Sequence, residues 1–241
     1  VCIGTFSIIP SMEAVDIIAS TGLDFIIIDG EHGPISFENI QRMVMACENN
    51  NVSPIFRVPN VNQSDILKAL DIGVHGVQAP NIETKTDLEN FITFGKYSEI
   101  GKRGFSPFTR AGGYTPKNSD SLIVQGNQNV LLIAQLEGKL AIENLKFLLK
   151  NNQIDIFFVG LYDLSLHLGK PGQIDHPDVL STFKSIASEV IEAGFKLGSI
   201  ANNFEQIEFL IKNHVQYLAY SVDSYMLKYS YKNLLDKILE R

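Results

Sequence analysis

Eight short apolar runs, each followed by a stretch of different rhythm, confine this chain to very few folds. The runs are IGTFSII (3–9), DFIIID (24–29), PIFRV (54–58), GVQAP (76–80), VLLIAQLE (130–137), DIFFVG (155–160), KLGSIA (196–201) and YLAYSV (217–222). They are continuous rather than alternating, the pattern of strands buried on both faces, and parallel sheets bury both faces under their crossover helices. Most of the gaps carry helical spacing. In SMEAVDIIASTG, Met12, Val15, Ile18 and Ala19 share a face, Ser11 is placed to cap the start and Gly22 to end it. NQSDILKALDIG repeats the plan with Ser64 as cap and Ile66, Leu67 and Leu70 as the stripe, and KLAIENLKFLLK and PDVLSTFKSIASEVIEAG carry longer stripes. Eight strands with helical crossovers predict a single (β/α)8 barrel, with a doubly wound open sheet as the alternative. The segment 98–129, rich in Gly, Pro, Ser and Arg, breaks the rhythm and reads as a long functional loop.

The 241 residues suit one barrel domain without linker or repeat, and the opening VCIGTFSII is already strand-like, which leaves room for a preceding leader. The formal charge of −7 weighs against nucleic acid or acidic membrane surfaces as partners. No apolar run approaches the ~20 residues that cross a bilayer. Cys2 and Cys47 lack C-x-x-C spacing and read as reduced thiols of a cytoplasmic protein. No G-x-G-x-x-G follows the first strand, which disfavours a dinucleotide site.

In a barrel, polar residues at the C-terminal ends of strands face the active-site mouth. FIIIDGEHGP (25–34) drives Asp29, Glu31 and His32 off the end of a buried strand, where desolvated charge is costly. Arg57 ends the third run, Gln135 and Glu137 the fifth, and Asp163 follows the sixth. Glu137 and Asp163 are hard oxygen donors suited to Mg²⁺ or Mn²⁺, and no Cys/His cluster suggests a structural zinc. Such an ion would polarise the carbonyl of a 2-oxo acid, with His32 as base, Arg57 stabilising enolate charge and Asp29 orienting the imidazole. Plainer roles stand beside these: Glu31 or Glu137 as helix caps, Arg57 as a packing ion pair, His32 as a structural group. His75, His167, His176 and His214 carry no assigned role.

The segments IIIDGEHGP, PIFRV, ALDIGVHGVQAP, GKRGFS, AQLEGKLAIENL and GLYDLSLHLG, in this order, resemble the HpcH/HpaI family of metal-dependent class II pyruvate aldolases over about Ile3 to Leu227. The resemblance implies Glu137 and Asp163 as metal ligands, His32 with Asp29 alongside, Arg57 as the enolate-stabilising arginine and Gln135 as the pocket glutamine. It implies that backbone amides around Tyr162 and Asp163 hold the pyruvate carboxylate. It also implies a divalent cofactor (Mg²⁺ or Mn²⁺, then Co²⁺ or Zn²⁺), 2-oxo acid and aldehyde substrates, and a hexamer built as a trimer of dimers with an exchanged last helix. In such an assembly Asp71 would reach a neighbouring active site. One departure stands out: where the family reads G-P-A-D-L-S, this chain has GLYDLS, with Leu161 and Tyr162 beside the expected donor pocket. The expected activity is reversible cleavage of a 4-hydroxy-2-oxo acid to pyruvate and an aldehyde. The alternatives are an acyl-CoA carbon–carbon lyase of the citrate-lyase or malyl-CoA-lyase type, and a non-catalytic barrel that binds sugar acids.

Overall fold

The computed structural model describes residues 1–240. Eight parallel strands close into a barrel: β1 (Cys2–Ser7), β2 (Phe25–Asp29), β3 (Ser53–Arg57), β4 (Gly76–Ala79), β5 (Leu131–Leu136), β6 (Ile156–Val159), β7 (Lys196–Ala201) and β8 (Val215–Val222). Closure is made by β8 pairing with β1, with Cys2 opposite Tyr217 and Gly4 opposite Ala219, so the open sheet is excluded. All eight strands fall within two residues of the apolar runs. Strand β2 shows why those runs are continuous. Phe25 and Ile27 point into the barrel, Ile26 and Ile28 face the surrounding helices, and every residue from Phe25 to Asp29 is buried. Each such aliphatic side chain contributes about 1.5–3 kcal/mol. Inside the barrel, Phe25 stacks on Tyr217 at 3.9 Å and Phe158 meets Tyr217 edge-on.

The helices are α1 (Met12–Ala19), α2 (Phe37–Asn49), α3 (Gln63–Ile72), α4 (Lys85–Gly95), α5 (Ser119–Asn129), α6 (Lys139–Glu143), α7 (Leu145–Leu148), α8 (Leu161–His167), α9 (Pro177–Glu192), α10 (Phe204–Lys212) and α11 (Asp223–Leu239). Ser11 caps α1 through the Ala14 amide, as its spacing suggests. Three local expectations are corrected. Asn62, not Ser64, caps α3, because its side chain is the one that reaches the Asp65 amide. KLAIENLKFLLK is two short helices, broken at Asn144, whose Nδ2 donates to the Glu83 carbonyl. The segment 98–129 is turns only to about residue 118, and α5 completes it without burying any side chain. Helix α11 packs mainly against β1 and β8 and leaves most of its length exposed. Among the described residues, no helix is long and apolar enough to cross a membrane.

Register places the chemistry. Asp29 pairs with Arg57 across β2–β3, and Arg57 with Gln78 across β3–β4. Register partners in parallel strands point the same way, so three polar side chains from adjacent strands form one row near the top of the barrel.

Candidate active site

A cavity of about 530 Å³ opens at the C-terminal ends of the strands, and its wall includes His32, Arg57, Gln135, Tyr162, Asp163 and Ser221. Asp29 is deeply buried and accepts two hydrogen bonds from Arg57, from Nε at 2.9 Å and Nη2 at 2.6 Å. The second Asp29 role is in the loop, where Oδ1 takes the backbone N–H groups of Glu31 and His32. The expectation that Asp29 orients the His32 ring is therefore corrected: its oxygens are committed to Arg57 and to the turn. The carboxylate nearest the imidazole is that of Glu31, whose Oε2 lies 3.9 Å from His32 Nε2. Glu31 caps no helix either, because Ser36 caps α2; its Oε2 lies 3.0 Å from Arg57 Nη1. The His32 ring stays largely in solvent at the cavity mouth, with its side chain 66% exposed. Burial works against the Arg57 charge, yet the hydrogen bond and field of Asp29, with Glu31 and Glu137, outweigh it and raise its pKa.

Glu137 is the most unusual group in the site. It is buried, and its oxygens accept from Gln135 Nε2 and from the Asn81 backbone N–H, both neutral donors. Burial pushes its carboxyl up to about 7; the Gln135 and Asn81 hydrogen bonds oppose that, while the charges of Asp163 and Glu31 add to it. Gly160 makes room for it: a Cβ there would sit 2.7 Å from Glu137 Oε2. Glu137 caps nothing, since α6 has Gly138 at its start and no side-chain cap. A buried carboxylate held by neutral donors and repelled by other carboxylates is a site that favours a cation. Asp163, in the first turn of α8, lines the cavity, whereas Glu137 is buried behind Gln135 and Gly160 of its wall; the Asp163 charge is felt at Glu137. Among the described residues no three His, Cys, Asp or Glu side chains form a metal-ligating group. Glu137 and Asp163 would together offer two carboxylates, a set that suits a hard ion completed by water or substrate oxygens.

In α8 the first intrahelical bond is Leu164 N–H to Gly160 C=O, so the N–H groups of Leu161, Tyr162 and Asp163 have no partner within the helix. The GLYDLS departure resolves into two different fates. Leu161 packs into the core, whereas the Tyr162 ring stands over the cavity and its hydroxyl accepts from Asn202 Nδ2 at 2.8 Å. Asp71 is the predicted site residue that lies elsewhere. It sits in the last turn of α3, just before β4 begins, at the opposite end of the barrel, and it pairs with Arg103 at 3.3 Å. Three polar residues escaped the strand-end rule: Gln78 lies buried inside β4, and two line the cavity, Asn202, which follows β7, and Ser221, in a bulge of β8. There β1 advances from Gly4 to Phe6 while β8 advances from Ala219 to Val222, and Ser221 takes a φ of 56°. Only Asn202, just beyond the end of KLGSIA, was within reach of sequence rules.

A sequence model of the HpcH/HpaI aldolase/citrate lyase family matches residues 3–228. A 5-keto-4-deoxy-D-glucarate aldolase of Salmonella paratyphi C is 30% identical over 201 residues, 83% of this chain and 77% of the relative. The solved HpcH/HpaI aldolase from Desulfitobacterium hafniense DCB-2 is 26% identical with a TM-score of 0.93, covering 100% of this chain and 93% of that one. A solved citrate synthase, SbnG, is 25% identical with a TM-score of 0.90, over 99% and 93% of the two chains.

Proposed function

We propose, from the premise that this chain belongs to the HpcH/HpaI aldolase/citrate lyase family and is a carbon–carbon lyase of the class II aldolase type, that it reversibly cleaves a 4-hydroxy-2-oxo acid into pyruvate and an aldehyde. The observation that carries the reading is Glu137, a buried carboxylate with neutral hydrogen-bond donors and with Asp163 close enough to raise its pKa. Metal dependence is expected of the family. Glu137 and Asp163 are the residues that would hold the ion, with Mg²⁺ or Mn²⁺ favoured by their hard oxygens. A divalent cation there supplies Lewis-acid polarisation of the 2-oxo carbonyl.

The protein's own groups do the rest. Neutral His32 takes a proton from the methyl of pyruvate in the synthetic direction and returns it after cleavage. Arg57, held by Asp29 on one edge and Glu31 on another, keeps further N–H groups facing the cavity for the oxygen that gains charge. The free amides at the start of α8, around Tyr162 and Asp163, receive the substrate carboxylate, and Gln135 borders the same space. The acyl-CoA alternative has less support, since the solved citrate lyases share only the fold, at 12% identity and a TM-score of 0.56. The test is direct: purified protein releases pyruvate from 4-hydroxy-2-oxo acids, stops on chelation and recovers with added Mg²⁺ or Mn²⁺. Full activity in excess chelator would refute the reading.

The same reading includes assembly and setting. Along α11, Leu227, Leu234, Leu235 and Ile238 are exposed, and an apolar groove of about 390 Å³ lies between α1 and the start of α11, with Ile17, Ile18 and Leu23 in its wall. These two surfaces support a homo-oligomer, a hexamer by analogy, in which α11 of one copy seats on α1 of another. Asp71, remote from this chain's own cavity, would then serve a neighbouring one. Ile17→Glu puts a charge into the groove, and sedimentation is expected to show it as monomers with reduced activity. A fully active monomer would remove both the exchange and the Asp71 role. Two free cysteines, Cys2 and Cys47, support a reducing, cytoplasmic setting.

A further inference from the structure

Gln78 is wholly buried at the end of the polar row, beside Arg57 on β3 and opposite Ile133 on β5. Its Nε2 donates to Gln135 Oε1 at 2.7 Å, and Gln135 Nε2 donates in turn to Glu137 Oε2 at 2.5 Å. Its own Oε1 has no hydrogen-bond partner among the described residues.

An amide has a donor end and an acceptor end, so this chain of bonds has a direction. Gln135 stands between an N–H of Gln78 and a carboxylate oxygen, and one orientation satisfies both. Turned around, its NH₂ would face the Gln78 NH₂ while its oxygen faced the Glu137 carboxylate, two repulsive contacts in place of two bonds. The other Glu137 oxygen is held by the backbone of Asn81. One oxygen is thus fixed by the main chain and the other by Gln135, whose amide sense is set from one side by the carboxylate and from the other by the Gln78 donor.

We propose that Gln78 is a positioning residue: by fixing the sense of the Gln135 amide, it holds the Glu137 carboxylate in the orientation that receives a divalent cation. The inference rests on the metal-site reading given above. The bond to Gln135 argues against a pure packing role: a methionine or leucine would remove the unpaired Gln78 Oε1 but would leave the buried Gln135 Oε1 without its donor. An amide kept here at that cost acts on its neighbour.

Gln78→Met keeps length and volume and removes both ends of the amide. Titrated with Mn²⁺ alone by calorimetry, metal-free Gln78→Met is expected to bind 10–100-fold more weakly than the natural chain, the usual scale for a group behind a metal ligand. Its thermal midpoint without metal should be little changed, because the unpaired Gln78 Oε1 disappears as Gln135 Oε1 loses its donor. Gln135→Met should lose at least as much affinity, and the double variant no more than Gln135→Met alone, because Gln78 acts through Gln135. Unchanged Mn²⁺ affinity in Gln78→Met, or losses that add in full, would overturn the proposal. So would a marked drop in midpoint for both Gln78→Met and Gln78→Leu, which would make the residue a packing element. Failure of the natural chain itself to bind Mn²⁺ would strike instead at the metal site, and the proposal would fall with it; the two failures are read from different samples.

Discussion

Glu137→Gln is expected to silence the enzyme while stabilising the metal-free protein at neutral and alkaline pH. If Glu137 holds the ion as proposed, metal-dependent exchange of the pyruvate methyl protons should fall by roughly three orders of magnitude or more, since the change would remove a charged ligand of the ion that polarises the carbonyl. The stability gain follows from burial, which pushes the folded-state pKa of Glu137 up to about 7 from an ordinary value of 4.5. Between those two pH values the folded chain holds the proton more tightly than the unfolded chain does, so stability declines as pH rises, and above about 7 the deficit is complete. At 1.36 kcal/mol for each unit it amounts to roughly 3 kcal/mol. Glutamine carries no charge at any pH and escapes it. Urea unfolding in chelator should therefore show the variant ahead of the natural chain at pH 8 and the two converging near pH 4.5. Adding Mn²⁺ should close the gap at pH 8 by stabilising the natural chain alone. A gap that is flat with pH, or exchange that survives in the variant, would refute the assignment of Glu137.

A barrel's interior explains why this group was easier to find than to understand. The eight strands were legible because both faces of each are buried, so Phe25 to Ile28 are apolar without a break. Strand ends were legible for the same reason: Arg57, Gln135 and Glu137 interrupt runs that have no packing use for them. The partnerships among those residues were not legible. Asp29 and His32 are close in sequence, yet Asp29 is joined to Arg57 because β2 and β3 set the two in register, and register is a property of the assembled sheet. Gln78 was hidden because one polar residue within GVQAP resembles a tolerated exception until Gln135 is seen beside it on the neighbouring β5. Ser64 was the cap the spacing suggested, and only the backbone shows that it is Asn62 whose side chain reaches the Asp65 amide. The long stripe of KLAIENLKFLLK failed at Asn144, whose bond to the Glu83 carbonyl draws the chain out of helical geometry. Local pattern identified the elements and the unusual residues, whereas pairings needed the fold.

Arg57 allows a second separation of stability from chemistry. Arg57→Met should destabilise the protein by about 3–5 kcal/mol, because it leaves the buried Asp29 carboxylate without its two-fold partner. Asp29→Asn on the same background removes that stranded charge and is expected to restore most of the loss in a denaturant melt. Activity should not return with it. Among the described residues Arg57 is the one Lys or Arg side chain that lines the cavity. The guanidinium N–H groups not spent on Asp29 and Glu31 would be available to the 2-oxo oxygen as it gains charge. Arg57→Lys sharpens the point, for it retains a positive charge but loses the fork that grips Asp29 and faces the cavity at once. We expect kcat lower by about 10²–10³ with KM for the 2-oxo acid changed far less, the signature of a contact made mainly in the transition state. If Arg57→Lys lowers only KM-linked binding, or if the double variant regains activity along with stability, Arg57 is a structural ion pair after all and the enolate must find its stabilising charge elsewhere in the cavity.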